Sequence, residues 1–506
     1  MKEKALHNNT VDNDATYDHV VKYAGLFGGV QGLTMLIGIL RNKIAARFLG
    51  PSGMGLVNIY NRVIGLVSQA TNLGISFSAV KHVAELSETA DTEQRDALID
   101  TVRMWCLMTA ALGMLVGLTL SPWISLWTFK NSDFTLAICS LSLVVAMMAV
   151  TGGEIAILKG LKQLKKAALI SVFAALATLI VCVPFYYLWG ISGVVDALLV
   201  SNAAVLGIHL YYSSKVAPWR KTIVSLKSVV SGIPMAKLGI AYVFAGILGQ
   251  GAEYFIATFI QNSGGLEWVG LYGTGYFLAV SIGSMLFVSV EADFFPRLSA
   301  LAGDVRRMNN TVNRQIEVCV LLIAPCLIME VMSMPVIVRL LYTAEFVQAG
   351  PMAICAIFYL FFKALTLPVA YLALAKGHSL TYLVTELLYD VFVAVAIPVA
   401  FAKYGLLGAG CALSLASLFD LLLIYIYYGA KYKFRLAMRP VWIYLLQFAL
   451  LGLSVYVSFL PASPMRWAAH LCALGASVWL SYSMLSRESD IVNKIVSKVK
   501  RKLGKS

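Results

Sequence analysis

The stretch AGLFGGVQGLTMLIGILRNKIAARFLG (residues 24–50) runs straight into PSGMGLVNIYNRVIGLVSQATNLGISFSA (51–79), and these two runs set the architecture. Each run is apolar for about 20 residues or more, the length a helix needs to cross the hydrocarbon core of a bilayer. The turn Gly50-Pro51-Ser52-Gly53 between them leaves no room for a soluble domain. The same two runs carry Arg41, Lys43, Arg47 and Arg62, so one reading must explain both apolar length and charge inside it.

The pattern continues outward along all 506 residues. Apolar residues make up 59% and charged residues 13%, with a mean hydropathy of +0.78. Soluble domains hold about 25% charged residues, so much of this surface must face lipid rather than water. The sequence predicts an all-α polytopic membrane protein with about fourteen spans. They fall near 24–49, 55–79, 104–129, 133–158, 167–189, 191–213, 232–260, 266–290, 315–341, 349–375, 380–402, 404–428, 440–459 and 465–485. The longest connection, 80–103, reads as a solvated amphipathic helix. No cleavable signal peptide is visible, because the first apolar run is too long and lacks a cleavage-type end.

The net charge of +14 would suit nucleic acid only if it were clustered on a soluble face. With the N-terminus taken as cytoplasmic, about 30 of the 40 lysines and arginines lie in the tails and loops of that side, and only Lys130, Lys403 and Arg466 lie in loops of the other. Lys and Arg resist translocation, so both termini are expected in the cytoplasm, and nucleic acid falls away as a partner. The tail at 486–506 places Ile491, Ile495, Val499 and Leu503 at helical spacing among basic residues. It reads either as an amphipathic helix on an anionic leaflet or as a basic topological stop. The eight cysteines and six histidines are scattered singly, which predicts neither a disulfide frame nor a metal site.

An internal repeat at an offset of about 215 residues orders the spans. WGISG (189–193) matches YGLLG (404–408), LYYSSK (210–215) matches IYYGAK (426–431), LKG (158–160) matches AKG (375–377), and Gly55-Leu56 matches Gly270-Leu271. The expected organisation is a tail at 1–23, an N-lobe at 24–213, a C-lobe at 232–428, an appended helix pair at 440–485 and the basic tail. Parallel six-span repeats place a substrate cavity between lobes, which favours a transporter.

Charge within the spans locates the chemistry. A Lys, Arg or Asp at mid-span costs about 2.5–3.5 kcal/mol on insertion scales, so such residues face a bundle interior or a wet cavity. Lys43 and Arg47 share a helical face and Arg41 points away from it; all three could instead be interfacial anchors. On the second span Asn58, Asn61, Arg62, Gly65, Ser68, Gln69, Asn72 and Ser76 fall within an arc of roughly 120°. Lipid cannot satisfy such a stripe, so it faces protein, as a structural seam, or a wet functional surface. Arginine binds phosphate oxygens with a planar fork, so Arg41, Lys43, Arg47 and Arg62, with the neighbouring Asn58, Asn61, Gln69 and Asn72, predict an anionic substrate, a phosphate or pyrophosphate. Lys237 and Lys363 add charge in the second half, either there or snorkelling to an interface. The acids Glu253, Glu330, Glu386, Asp390 and Asp420 also lie within spans. Glu386 and Asp390 are one turn apart beside Tyr382 and Tyr389, a pair suited to Na⁺ or a shared proton, or else neutralised by Lys363 or Arg339. Glu253 joins them as a coupling candidate.

The segment IAARFLGPSGMGL (44–56), with NLGIS (72–76), VKHVA (80–84) and KGLKQLKKAAL (159–169), resembles bacterial O-antigen translocases. These are lipid-linked oligosaccharide flippases of the multidrug/oligosaccharidyl-lipid/polysaccharide exporter superfamily. The resemblance implies two six-helix lobes around a cavity that opens alternately to each side of the bacterial inner membrane. It implies a polyprenyl-pyrophosphate-linked oligosaccharide as substrate, membrane lipids and other polysaccharide-assembly proteins as partners, no cofactor, and possible coupling to Na⁺ or H⁺. In relatives, cavity arginines and lysines contact substrate, a role carried here only to Arg41, Lys43, Arg47 and Arg62. One rival is a multidrug exporter of the same superfamily, which would need an acidic, aromatic cavity. A second is a membrane-embedded polysaccharide-assembly enzyme, for which Glu291-Ala292-Asp293 is the nearest candidate motif and no large outer loop exists.

Overall fold

The computed structural model describes the backbone of residues 2–87, 92–219, 226–301 and 303–488. The chain is all-helical, and no strand occurs among the described residues. The helices are α1 (Lys2–Thr71), α2 (Ile75–Ser87), α3 (Thr92–Phe129), α4 (Thr135–Gly160), α5 (Leu164–Trp189), α6 (Val194–Ser214) and α7 (Leu226–Gly264). They continue as α8 (Leu266–Ser299), α9 (Val305–Leu341), α10 (Ala349–Ala356), α11 (Phe358–Ala375), α12 (Ser379–Tyr432), α13 (Met438–Ser458) and α14 (Pro464–Glu488).

Among the described residues eight helical stretches are long and apolar enough to cross a membrane. Gly32–Thr71 and Ile75–Leu86, bent by 53°, make a ninth if taken together. Large apolar side chains such as Leu36, Trp123, Leu136, Ile180, Trp442 and Trp479 stand exposed on these helices. Water would not tolerate that much apolar surface, and lipid covers it. The chain is therefore a multi-pass membrane protein.

Two long helices contain a break that a simple apolar run does not reveal. In α1 Gly50 sits at φ 63°, ψ −174°, and in α12 Gly405 sits at φ 60°, ψ −146°. Only glycine takes these angles without a Cβ clash, and Pro51 then restarts the helix with its φ preset. Each helix thus joins two of the sequence-predicted spans across a kink. The 80–103 connection differs from the expected solvated helix. Its described residues are the end of α2 and the start of α3, and Ile75, Ala79, Val83, Ile99, Val102, Trp105 and Cys106 of these helices belong to one buried cluster.

Backbone conformation recurs at the offset of the sequence motifs. Six of the ten described residues with positive φ pair across it: Gly50 with Gly265, Lys162 with Gly377, and Gly190 with Gly405, each 215 positions apart. Side chains agree. Lys215 donates to the Tyr211 hydroxyl at 2.7 Å, and Lys431 donates to Tyr427 at 3.4 Å. Contacts divide the chain into units Met1–Asn262 and Ser263–Ser506. By contact, α7 belongs to the first unit, although the repeat counts it as the first span of the second half.

Within the first unit, small residues let helices approach closely, as bilayer packing requires. Gly117 of α3 lies so near α4 that a Cβ there would stand 2.7 Å from Ser142 Cβ. Gly153 of α4 is set against Cys106 and Gly160 against Val83 in the same way.

Candidate functional site

The polar stripe runs along α1 after the Gly50 kink and continues through Asn72 to Ser76 of α2, and α7 covers part of it. Arg62 and Glu253 form an ion pair. One turn on, a Cβ on Gly65 would meet Gln250 Oε1 at 2.8 Å, and beyond it Gln69 lies over Gly246. The three positions 62, 65 and 69 rise along α1 as 253, 250 and 246 descend along α7. The helices are therefore antiparallel and in register, with each glutamine seated in the notch of a glycine. The stripe remains open elsewhere: Asn61 is exposed, and Asn58, Ser68, Gln69 and Asn72 are half-buried. Asn72 follows the last residue of α1, and its carbonyl accepts from Ile75 N at 3.2 Å. Ser76 sits against Gly152 of α4.

The cluster before the kink divides as the helical wheel requires. Lys43 and Arg47 are exposed on one face. Arg41 is half-buried on another, within electrostatic reach of Cys182 and Tyr186 of α5. Phe48 packs edge-on against Tyr187 at 5.3 Å, which holds α1 to α5 here.

A second charged node went unnoticed in the sequence. Arg103 of α3 donates from Nε to Glu154 Oε1 at 2.9 Å and from Nη2 to Oε2 at 3.1 Å. Its remaining donors reach the carbonyls of Ala217 at 2.7 Å and Pro218 at 3.1 Å. Its guanidinium lies over the Trp219 ring at 4.6 Å, and Ser213 donates to Glu154. Both side chains of the pair are only 1% exposed. This node pins the segment leaving α6 to the ends of α3 and α4. Beside it lies a cavity of about 460 Å³ lined by Arg95, Asp96, Asp100, Lys162 and Gln163 among others. The only sequence signal is a lone acid, Glu154, in the fourth apolar run.

In the second unit the acids gather around a lysine. Lys363 of α11 lies in the electrostatic field of Glu386 and Asp420 of α12, with its ammonium 5.6 Å from the Tyr389 ring centre. Asp390 shares the field of Glu386, Lys363 and Asp420. Asp420 is buried in the same region. Among the described residues, no three His, Cys, Asp or Glu side chains are arranged to hold a metal ion. Glu330 of α9 is buried apart, with Oε2 lacking a hydrogen-bond partner, and Arg339 is exposed at the end of α9. Lys237, Glu291, Asp293 and the tail from 487 onward lie outside the described side chains.

A family model described as "Polysaccharide biosynthesis protein" matches residues 44–351, more than half of the chain. The chain belongs to that family. Its fold is that of transporters of the MOP superfamily. An inward-facing multidrug resistance MATE family transporter is 14% identical, with a TM-score of 0.67 over 79% of this chain and 94% of its own. The lipid II flippase MurJ in an inward closed conformation is 13% identical, with a TM-score of 0.66 over 92% and 99%. A MOP superfamily transporter from Pyrococcus furiosus is 14% identical, with a TM-score of 0.59 over 82% and 95%. No curated protein matches the sequence.

In this polysaccharide biosynthesis protein the matched segment holds Arg47, the whole stripe, the Arg103–Glu154 node and Glu253. It stops before Lys363, Glu386, Asp390 and Asp420. The cationic features of the first unit thus fall largely within the family segment, and the acidic cluster falls outside it.

Proposed function

We propose that this chain is a flippase that carries a polyprenyl-pyrophosphate-linked oligosaccharide, an O-antigen or related repeat unit, from the cytoplasmic to the outer leaflet of a bacterial inner membrane. The carrying observation is a cationic, accessible surface on one membrane helix. Lys43 and Arg47 are exposed before the kink, and Arg62 follows it within a stripe of amides. Such a surface suits pyrophosphate and sugar hydroxyls, while the polyprenyl chain stays in lipid. It does not suit the cationic drugs that a multidrug exporter handles. The family assignment supports the reading, and so does the likeness of fold to a protein whose name is lipid II flippase.

Complementation of a strain lacking its own flippase tests it. The wild-type chain restores surface polysaccharide, and Arg47→Ala is expected to reduce it several-fold at normal membrane levels. Full activity in that variant would remove Arg47 from the substrate surface. Failure of the wild-type chain, with export of cationic dyes instead, would establish the multidrug reading.

For energy coupling we assign the Glu386–Asp390 pair to a Na⁺ ion or a proton. Three carboxylates around one lysine leave negative charge that a monovalent cation or protons would balance. Asp390→Asn is expected to slow transport when the ion gradient is limiting and to flatten its dependence on that ion. An unchanged ion dependence would exclude the pair from coupling.

A further inference from the structure

Arg62 is the only charged residue of the stripe, and it is already engaged by Glu253. The Arg62–Glu253 and Arg103–Glu154 pairs differ in one decisive respect. Arg103–Glu154 is sealed at 1% exposure on both sides. The side chains of Arg62 and Glu253 are 20% and 38% exposed, so a ligand can reach between them. A carboxylate and a phosphate offer a guanidinium the same pair of acceptor oxygens. One fork cannot hold both at full strength.

We propose that Glu253 is a resident competitor for the substrate's pyrophosphate, whose arrival displaces it from Arg62 and parts α7 from α1. This rests on the flippase reading above and adds the event that couples binding to movement. The rest of the described seam is suited to parting. Gly65 with Gln250 and Gly246 with Gln69 are neutral and held by close approach, so the ion pair is its charged tie. Meanwhile α7 keeps its grip on α3. Tyr254 and Thr128 share a hydroxyl hydrogen bond at 2.6 Å, and Asn262 donates to the Trp127 carbonyl at 3.1 Å. The expected movement is therefore of the second part of α1 away from an α7 that stays docked. A substrate approaching from the Thr71 end of the stripe meets the Gln69–Gly246 and Gly65–Gln250 contacts first and Arg62 last.

The test measures binding of undecaprenyl pyrophosphate, with undecaprenol as the uncharged control, to purified full-length protein in nanodiscs. Glu253→Gln is expected to bind the pyrophosphate about tenfold more tightly than wild type, because a charged competitor is gone. Glu253→Asp, which keeps the charge, should bind as wild type. Arg62→Ala should bind weakly whether or not Glu253→Gln is added. A Gly65→Cys/Gln250→Cys pair should cross-link through a short bifunctional thiol reagent, and lose cross-linking on addition of undecaprenyl pyrophosphate but not of undecaprenol. Unchanged or weaker binding by Glu253→Gln, with wild type binding well, would overturn the proposal and make Glu253 a positioning residue for Arg62. Flat curves in every protein would instead overturn the pyrophosphate reading itself, and the competitor role with it.

Discussion

Glu154→Ala is expected to lower the stability of the first unit by about 3–5 kcal/mol. The substitution leaves the Arg103 guanidinium buried with no counter-charge, holding only two carbonyls and the Trp219 face. Desolvation sets this magnitude, because the buried charge cannot escape to water. Thermal unfolding in detergent, followed by tryptophan fluorescence, should show a clear fall in Tm. Trp219 should report it directly. The double variant Arg103→Met/Glu154→Leu is expected to lose less than either single change, since no orphaned charge remains. A Tm within a degree of wild type for Glu154→Ala would show that the node contributes nothing to stability.

The second large effect belongs to Arg62. Arg62→Ala is expected to abolish complementation of a flippase-deficient strain. The loss alone would be ambiguous, because it also strands Glu253 inside the membrane at about 2.5–3.5 kcal/mol. The exchange Arg62→Glu with Glu253→Arg separates the two causes. It restores an ion pair between α1 and α7 but moves the guanidinium off the amide stripe. If Arg62 is the phosphate ligand, the exchanged protein inserts at normal levels and remains inactive. Recovery of transport would show that only the tie between helices matters. Arg62→Lys should retain a fraction of activity, since an ammonium is a point charge without the planar fork.

Much of this was legible in one dimension. Apolar length and scarcity of charge established a polytopic membrane chain. The 100° periodicity of α1 put Asn58, Arg62, Gln69 and their neighbours on one face, and separated Arg41 from Lys43 and Arg47. The repeat motifs at 189–193 and 404–408 foreshadowed Gly190 and Gly405, which share a backbone conformation 215 residues apart. What stayed hidden was pairing over distance. Glu154 looked like one more acid in an apolar run, and its partner Arg103 stood at the edge of a loop, 51 residues away. The pairing of Glu253 with Arg62 is not legible in sequence, because composition alone ranks all intramembrane carboxylates alike. Lys363 could be read as a snorkelling cation until packing put it in the field of Glu386 and Asp420.

The sequence by itself determined that the chain lives in a membrane, that short motifs recur about 215 residues apart, and that α1 carries a cationic polar face. Each is a local property, set by transfer free energy and by the 3.6-residue period of a single helix. Only the tertiary structure decided which charge answers which. The register of α1 against α7 follows from glycine notches and side-chain volumes on both helices together, and no local pattern contains it. That register makes Arg62 an engaged cation rather than a free one. Burial then separates the two ion pairs, sealing Arg103–Glu154 as structure and leaving Arg62–Glu253 within reach of a ligand.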